Sequence, residues 1–158
     1  MTLHVVLIVL HATVATIAFG IGCSLLIAYP RSTASPRFVA YYAGMLVTAT
    51  ALIAVLVVDW AGLPVVQRAV FGGLCLLALY LVVRTEQARS TLIRRREAWR
   101  AQFAGHVGFV LISLFDAFCI VLAVDLRLSP FVTVPIAVLG VVVGSLAIRR
   151  VGRRVARY

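Results

Sequence analysis

Five long apolar segments constrain the fold of this chain more than any other feature of its sequence. They cover residues 3–29, 38–58, 65–83, 107–124 and 131–148. Each approaches or exceeds the roughly 18 residues that a helix needs to cross the hydrocarbon of a bilayer. Because lipid offers the backbone no hydrogen-bond partners, such a segment is stable there as a helix. The sequence therefore predicts an all-α integral membrane bundle of five transmembrane helices.

Little of the 158-residue chain lies outside these segments, so we expect residues 1–158 to form a single transmembrane domain. Apolar residues make up 63% of the sequence and charged residues 13%, which is typical of multi-pass membrane proteins. The longest connection, at about 84–104, is too short and too basic to bury a core. Three structures suit it: a helix lying on anionic headgroups, extensions of the third and fourth helices, or a solvated loop.

The distribution of arginine predicts how the chain is threaded through the membrane. Two arginines lie between the first and second segments, six between the third and fourth, and five follow the fifth. Only Arg68 and Arg127 fall in the alternate positions. Since basic connections stay in the cytoplasm, we expect the N-terminus outside and the C-terminus in the cytoplasm of a cell inner (plasma) membrane. This distribution also explains the net charge of +10, so we do not expect nucleic acid as a partner.

A carboxylate lies in the middle of the fourth apolar segment. Asp116 is nine residues from Asp125, and His11 is eight residues from the start of the first segment. The helical rise places these groups about 13 Å and about 12 Å below the outer surface, at one level. Ser113 lies one turn from Asp116. Ionisable side chains are costly in hydrocarbon and often mark functional sites, so Asp116 and His11 are the candidate binding residues.

The residues leave open what this site does. One hypothesis is a non-enzymatic membrane protein that binds or passes a small molecule or a proton. The alternative is an acid–base enzyme, an isomerase, cyclase or hydrolase acting on a lipophilic substrate such as an isoprenoid or polyketide. Its catalytic residues would be Asp116 as the acid, His11 as the base or as an orienting group, and Ser113. A third hypothesis is a structural partner subunit, in which the polar groups only tie helices together.

A haem held by His11 and His106 is disfavoured by depth. His106 lies ten residues from Asp116 toward the cytoplasm, about 15 Å below the level expected for His11. Two axial ligands of one iron must share a level. Phosphate loops and carboxylate-rich metal motifs are also absent from the sequence, so we expect neither a cofactor nor a metal. A rim of charged residues is expected at the outer surface, made by Asp59, Arg68, Asp125 and Arg127.

Small residues indicate where helices approach one another closely. Gly140 and Gly144 form a GxxxG motif in the fifth segment, which suits either packing within the chain or a homo-oligomer. In the first segment, small residues recur every four positions and predict a smooth packing face: Ala12, Thr16, Gly20, Ser24 and Ala28. The remaining expected partners are membrane lipid and a lipophilic small molecule.

The sequence resembles a family of small, uncharacterised bacterial membrane proteins. The resemblance lies in His11 and Gly20, a short basic turn, and the segment Phe-Val-Ala-Tyr-Tyr-Ala-Gly-Met-Leu at 38–46. It implies a multi-pass helical membrane protein with a histidine in its first helix. In that family the turn itself is rich in histidine, whereas this chain has Ser35, Pro36 and Arg37 there. The resemblance implies no particular activity.

Overall fold

The computed structural model of the chain describes residues 3–126 and the single residue 142. Residues 3–126 form four α-helices: α1 (Leu3–Ile27), α2 (Pro36–Asp59), α3 (Val65–Arg94) and α4 (Trp99–Asp125). One turn of 3-10 helix, Trp60–Gly62, follows α2. No strand occurs among the described residues. All four helices are long and apolar enough to cross a membrane, which is the architecture of a multi-pass membrane protein.

The fifth predicted helix, at 131–148, lies outside the described residues, and so do Gly140, Gly144 and the basic C-terminal residues. The third and fourth helices differ from their predicted bounds. Helix α3 continues to Arg94 instead of ending at residue 83, and α4 begins at Trp99 instead of residue 107. The expected connection at 84–104 therefore shortens to residues 95–98. Among the three structures considered for it, the chain adopts extensions of both helices.

These extensions are helical because they carry apolar residues at helical spacing and bury them. Ala88 and Leu92 of α3 are 0% and 3% exposed, and Phe103 of α4 is 0% exposed. The Phe103 ring packs against Tyr29 of the connection after α1, with centroids 6.1 Å apart, and against Phe38 of α2 at 6.2 Å. Burial of this kind stabilises a helical hairpin beyond the length that a bilayer requires.

The described helices are arranged in a ring in which each one packs against two neighbours. Helix α1 contacts α2 and α4, and α3 likewise contacts α2 and α4. The ring contact of Tyr29 with Trp99, at 6.0 Å, places the 28–35 and 95–98 connections at the same end of the bundle. We call it the basic end, because eight of the nine arginines in residues 3–126 belong to it. His4 contacts Asp59 at the opposite end.

Small residues allow α1 to approach its neighbours, but on a different face from the one expected. A Cβ atom added to Gly44 of α2 would lie 3.1 Å from the Cβ of Ala18, and one added to Gly22 would lie 2.7 Å from Cδ2 of Leu111 in α4. Ala18 and Gly22 are buried, whereas Ala12, Thr16 and Gly20 of the predicted face are exposed. The described helices therefore pack against Ala18 and Gly22 and not against the predicted face.

Large apolar side chains cover the outside of the described bundle. Ile17 is 56% exposed, Leu76 71% and Phe118 63%, and similar residues follow the length of all four helices. A contiguous apolar surface of this extent is unusual on a soluble monomer, where it leads to association. It is the surface expected of helices that face lipid acyl chains, since lipid tails are as apolar as the side chains they contact.

Candidate functional site

The candidate site in the membrane interior begins with two residues of α4. Ser113 is 9% exposed and Asp116 is 6% exposed, so both polar side chains are buried. Their spacing of three residues places them on adjacent turns of the same helix face. Asp116 Oδ2 is buried and has no hydrogen-bond partner among the described residues. A buried carboxyl oxygen without a partner is costly, more so in hydrocarbon than in a soluble core.

His11, which was expected at the level of Asp116, is hydrogen-bonded to α2. Its Nδ1 donates a hydrogen bond to the backbone carbonyl oxygen of Thr48 in α2, at 2.9 Å. The imidazole is half-buried between α1 and α2. The hydroxyl of Thr48 is itself buried and lacks a hydrogen-bond partner in the part of the chain that the structure describes. His11 therefore ties α1 to α2, and no hydrogen bond between His11 and Asp116 Oδ2 is formed.

The two residues also differ in level along the bundle axis. Contacts of Gly22 with Leu111 and of Tyr29 with Phe103 set the register of α1 against α4. From these contacts the helical rise puts Asp116 level with residues 16–17 of α1, about 8 Å from the level of His11. The common level was expected because the first residue of α1 and the last residue of α4 were taken to lie at the same depth. The same register places residue 125 level with residues 7–8, so α1 reaches further out.

His106 lies near the basic end, far from His11. The register of α1 and α4 places it level with residues 26–27, about 23 Å along the axis from the level of His11. A single iron cannot reach both imidazoles within one chain. His106 Nδ1 is buried and has no hydrogen-bond partner among the described residues. Within residues 3–126, no three side chains of histidine, cysteine, aspartate or glutamate are grouped to hold a metal ion.

The structure describes the side chains of two of the four residues expected at the outer rim. Asp59 accepts a hydrogen bond from His4, which pairs the start of α1 with the end of α2. Arg68 donates to the backbone oxygen of Ala61 at 3.2 Å and stacks over the ring of Trp60 at 5.6 Å. Arg127 and the side chain of Asp125 lie outside the described part of the chain. The predicted rim thus stays a prediction. Its two described residues, Asp59 and Arg68, contact partners that the sequence did not indicate.

A polar groove between α3 and α4 at the basic end was not anticipated. We call it the α3–α4 groove; it has a volume of about 490 Å³ and is lined by Arg84, Gln87, Ser90, Thr91, Arg94, Arg96, Gln102 and His106. Its lining carries three arginines and a histidine, with no carboxylate among the described residues. Residues 84, 87, 91 and 94 follow helical spacing, a signal that was present in the sequence. It was missed because this segment was expected to be a connection.

Two acidic residues, Glu86 and Glu97, are sequence neighbours of groove residues, and neither lines the groove. Glu86 accepts a hydrogen bond from the hydroxyl of Tyr42 in α2, at 3.0 Å, and from Arg89 Nη1, also at 3.0 Å. The contact with Tyr42 links α2 to α3. Glu86 is therefore already paired with groups outside the groove lining.

Comparisons with protein-family models, curated proteins and solved structures give no match to this chain. The function must therefore be argued from the geometry of Asp116 and of the basic end. The resemblance to small bacterial membrane proteins adds no residue role to either place.

Proposed function

We propose that this chain is a multi-pass protein of the cell inner (plasma) membrane whose Asp116 binds a small molecule or takes up a proton. One observation carries the proposal: Asp116 Oδ2 is buried in an apolar helix and has no partner among the described residues. An unpaired carboxylate in hydrocarbon must be protonated, meet water or bind a ligand. Each of these states makes Asp116 responsive to something that enters the bundle.

Ser113 defines what kind of ligand would suit the site. Its hydroxyl, one turn away on the same face, can both donate and accept a hydrogen bond. A carboxyl and a hydroxyl side by side in an apolar surrounding favour a small molecule with a donor or cationic group, or a proton carried by water. The residues of α4 around Ser113 and Asp116 are apolar, so the remainder of a bound molecule would also be apolar.

The acid–base enzyme has less support. That hypothesis needs a base within hydrogen-bond reach of the acid or of its substrate. His11 is held by Thr48 in α2 and lies about 8 Å in level from Asp116 by the helical rise. The structural-subunit hypothesis predicts that Asp116 has a fixed polar partner. Among residues 3–126, Oδ2 has none, so binding or proton uptake is the function that we propose.

The proposal is tested by reaction of the purified protein with a membrane-permeant carbodiimide, which modifies protonated carboxyl groups in apolar surroundings. We expect modification at Asp116, located by peptide mass spectrometry, and little at Asp59, whose carboxylate is paired with His4. In proteoliposomes carrying an internal pH dye, Asp116→Asn should lower proton uptake under an imposed potential. Absence of both modification and uptake in the wild-type protein contradicts proton uptake.

Melting temperatures distinguish a binding site at Asp116 from a structural hydrogen bond. Asp116→Leu should melt at or above the wild-type temperature, because it leaves no buried polar atom unpaired, and Asp116→Asn should melt close to it. If Asp116→Leu instead melts lower by several degrees and the carbodiimide leaves Asp116 unmodified, the carboxyl is held in a structural bond. In that case the structural-subunit hypothesis replaces the binding site.

A further inference from the structure

We propose that the α3–α4 groove at the basic end binds a phosphate group, supplied by the headgroup of an anionic phospholipid. The groove is separate from Asp116, which lies about 15 Å from His106 along α4 by the helical rise. It concerns the part of the hairpin where α3 and α4 continue beyond the predicted apolar segments. Four features of the groove support the proposal: its positive charge, the fixed orientation of Arg84, two nitrogen atoms without partners, and its level relative to the membrane.

The charge of the groove selects an anion. Arg84, Arg94 and Arg96 line it, and the described lining includes no acidic residue. Guanidinium groups present several N–H donors in a planar fork that matches phosphate oxygens. Gln87, Ser90 and Gln102 add neutral side chains with donors. Three arginines in one groove repel one another when it is empty, and a bound phosphate offsets that repulsion.

Arg84 is oriented before any ligand arrives. Its guanidinium carbon lies 5.0 Å from the centre of the Phe109 ring, over the face of the aromatic side chain. Its Nη1 donates to Oε1 of Gln87 at 3.1 Å. Stacking and hydrogen bonding together restrict a side chain that otherwise has many rotamers. Less conformational entropy is then lost when Arg84 contacts an anion.

Two nitrogen atoms of the groove residues lack partners among the described residues. They are Nε of Arg84 and Nδ1 of His106, and both are buried. Buried polar atoms are ordinarily paired, and those left unpaired cost free energy. A phosphate has acceptor oxygens for both nitrogens when His106 carries a proton on Nδ1. An uncharged ligand would satisfy these nitrogens without relieving the repulsion among the arginines.

The level of the groove favours a lipid as the source of the phosphate. Arg84 immediately follows the predicted apolar segment 65–83, and the groove then continues about 15 Å toward Arg94 by the helical rise. This is where the headgroup region follows the hydrocarbon. Just below it, Leu79, Tyr80 and Val83 of α3 are 47–51% exposed and provide an apolar surface for an acyl chain. A free phosphate ester has no acyl chain that could pack on that surface.

The test measures binding of defined probes to the purified protein in a neutral detergent. Native mass spectrometry with phosphatidylglycerol, phosphatidic acid and phosphatidylcholine reports the bound fraction, and inorganic phosphate is titrated as a competitor. We expect the two anionic lipids to bind and phosphatidylcholine to bind weakly. Arg84→Gln and Arg94→Gln should each weaken anionic-lipid binding by about tenfold, the effect expected for one charge-assisted contact. Arg84→Lys should restore part of it.

Arg100→Gln is the matched control, because it removes one arginine from the same hairpin but outside the groove lining. It should leave lipid binding nearly unchanged. Equal losses in all three glutamine variants would overturn the groove and indicate diffuse attraction to the basic end. Displacement of lipid by millimolar inorganic phosphate, sensitive to Arg84, would assign the groove to a soluble phosphate ester instead. Melting curves confirm that each variant is folded before its binding is compared.

Discussion

His4 and Asp59 are hydrogen-bonded across the end of the bundle opposite the arginines, although 55 positions separate them in the sequence. The contact joins the first turn of α1 to the last residue of α2. Both side chains are partly exposed, with 43% and 27% of their surfaces accessible. It thus holds together two helix ends that no connection joins directly. The basic end has no need of such a contact, because the 28–35 connection joins α1 to α2 there.

The His4–Asp59 pair should contribute modestly to stability. We expect a double-mutant cycle of His4→Phe and Asp59→Asn, read by thermal unfolding in detergent, to give a coupling of about 0.2–1 kcal/mol, the range for exposed ion pairs. A cycle of His4→Phe with Arg68→Gln serves as the control, since Arg68 contacts Ala61 and Trp60 instead. Coupling of equal size in both cycles would mean that the described contact has no specific effect.

A second prediction concerns the approach of α1 to α4. Gly22→Val should lower stability by about 1–3 kcal/mol, the usual effect of overpacking. Its added Cβ alone would lie 2.7 Å from Leu111 Cδ2 and 3.0 Å from Tyr41 Cε2. Gly20→Val is the matched control on the same helix, because nothing described lies within 4 Å of its Cβ position. Melting temperatures in detergent compare the two; a larger loss at Gly20 contradicts the described packing face.

The sequence alone could not distinguish these two faces of α1. The helix is apolar on all sides, so its burial pattern carries no polar face to mark the outside. Small residues recur at spacing four through Gly20 and also through Ala18 and Gly22, and both sets suit close packing. Which set is used depends on where Gly44 and Leu111 lie, and that is known only when α2 and α4 are placed. Length and apolar content, by contrast, identified the four described helices.

The turn between α3 and α4 yields a third prediction. Arg95 and Ala98 have φ values of 39° and 58°, in the left-handed region that residues with a Cβ adopt at a cost. Ala98→Val should destabilise the protein by about 1–2 kcal/mol, because a β-branched side chain is poorly accommodated there. Ala98→Gly should be neutral or stabilising. The measurement is thermal unfolding, with Ala101→Val in the following helix as a control for β-branching; a neutral Ala98→Val contradicts the turn geometry.

Asp116 illustrates how far the candidate site could be predicted. Its position within an apolar run identified it as a buried polar residue, and the structure places its side chain at 6% exposure. The level of His11 relative to Asp116 could not be predicted in this way, because depth was counted from helix ends that do not lie at one level. The α3–α4 groove was not predicted because α3 and α4 continue beyond the apolar segments from which their ends were inferred. Apolar content marks where a helix leaves the membrane, not where it ends.

The last prediction concerns the side of the membrane on which the basic end lies. Its arginines predict a cytoplasmic location, and the 3-10 turn Trp60–Gly62 then lies outside. After replacement of Cys23, Cys75 and Cys119 by alanine, single cysteines are placed at Ala61 and Gln87, both exposed in the structure. A membrane-impermeant maleimide should label the cysteine at Ala61 in intact cells.

The cysteine at Gln87 should react only after the membrane is permeabilised, which also shows that the side chain is accessible. The physical reason is that translocating the basic hairpin would require moving its arginines across hydrocarbon, where each is costly. Labelling of Gln87 but not Ala61 in intact cells would reverse the threading. The α3–α4 groove would then lie in the outer headgroup layer. The lipids chosen for the binding test should in that case be those of the outer leaflet.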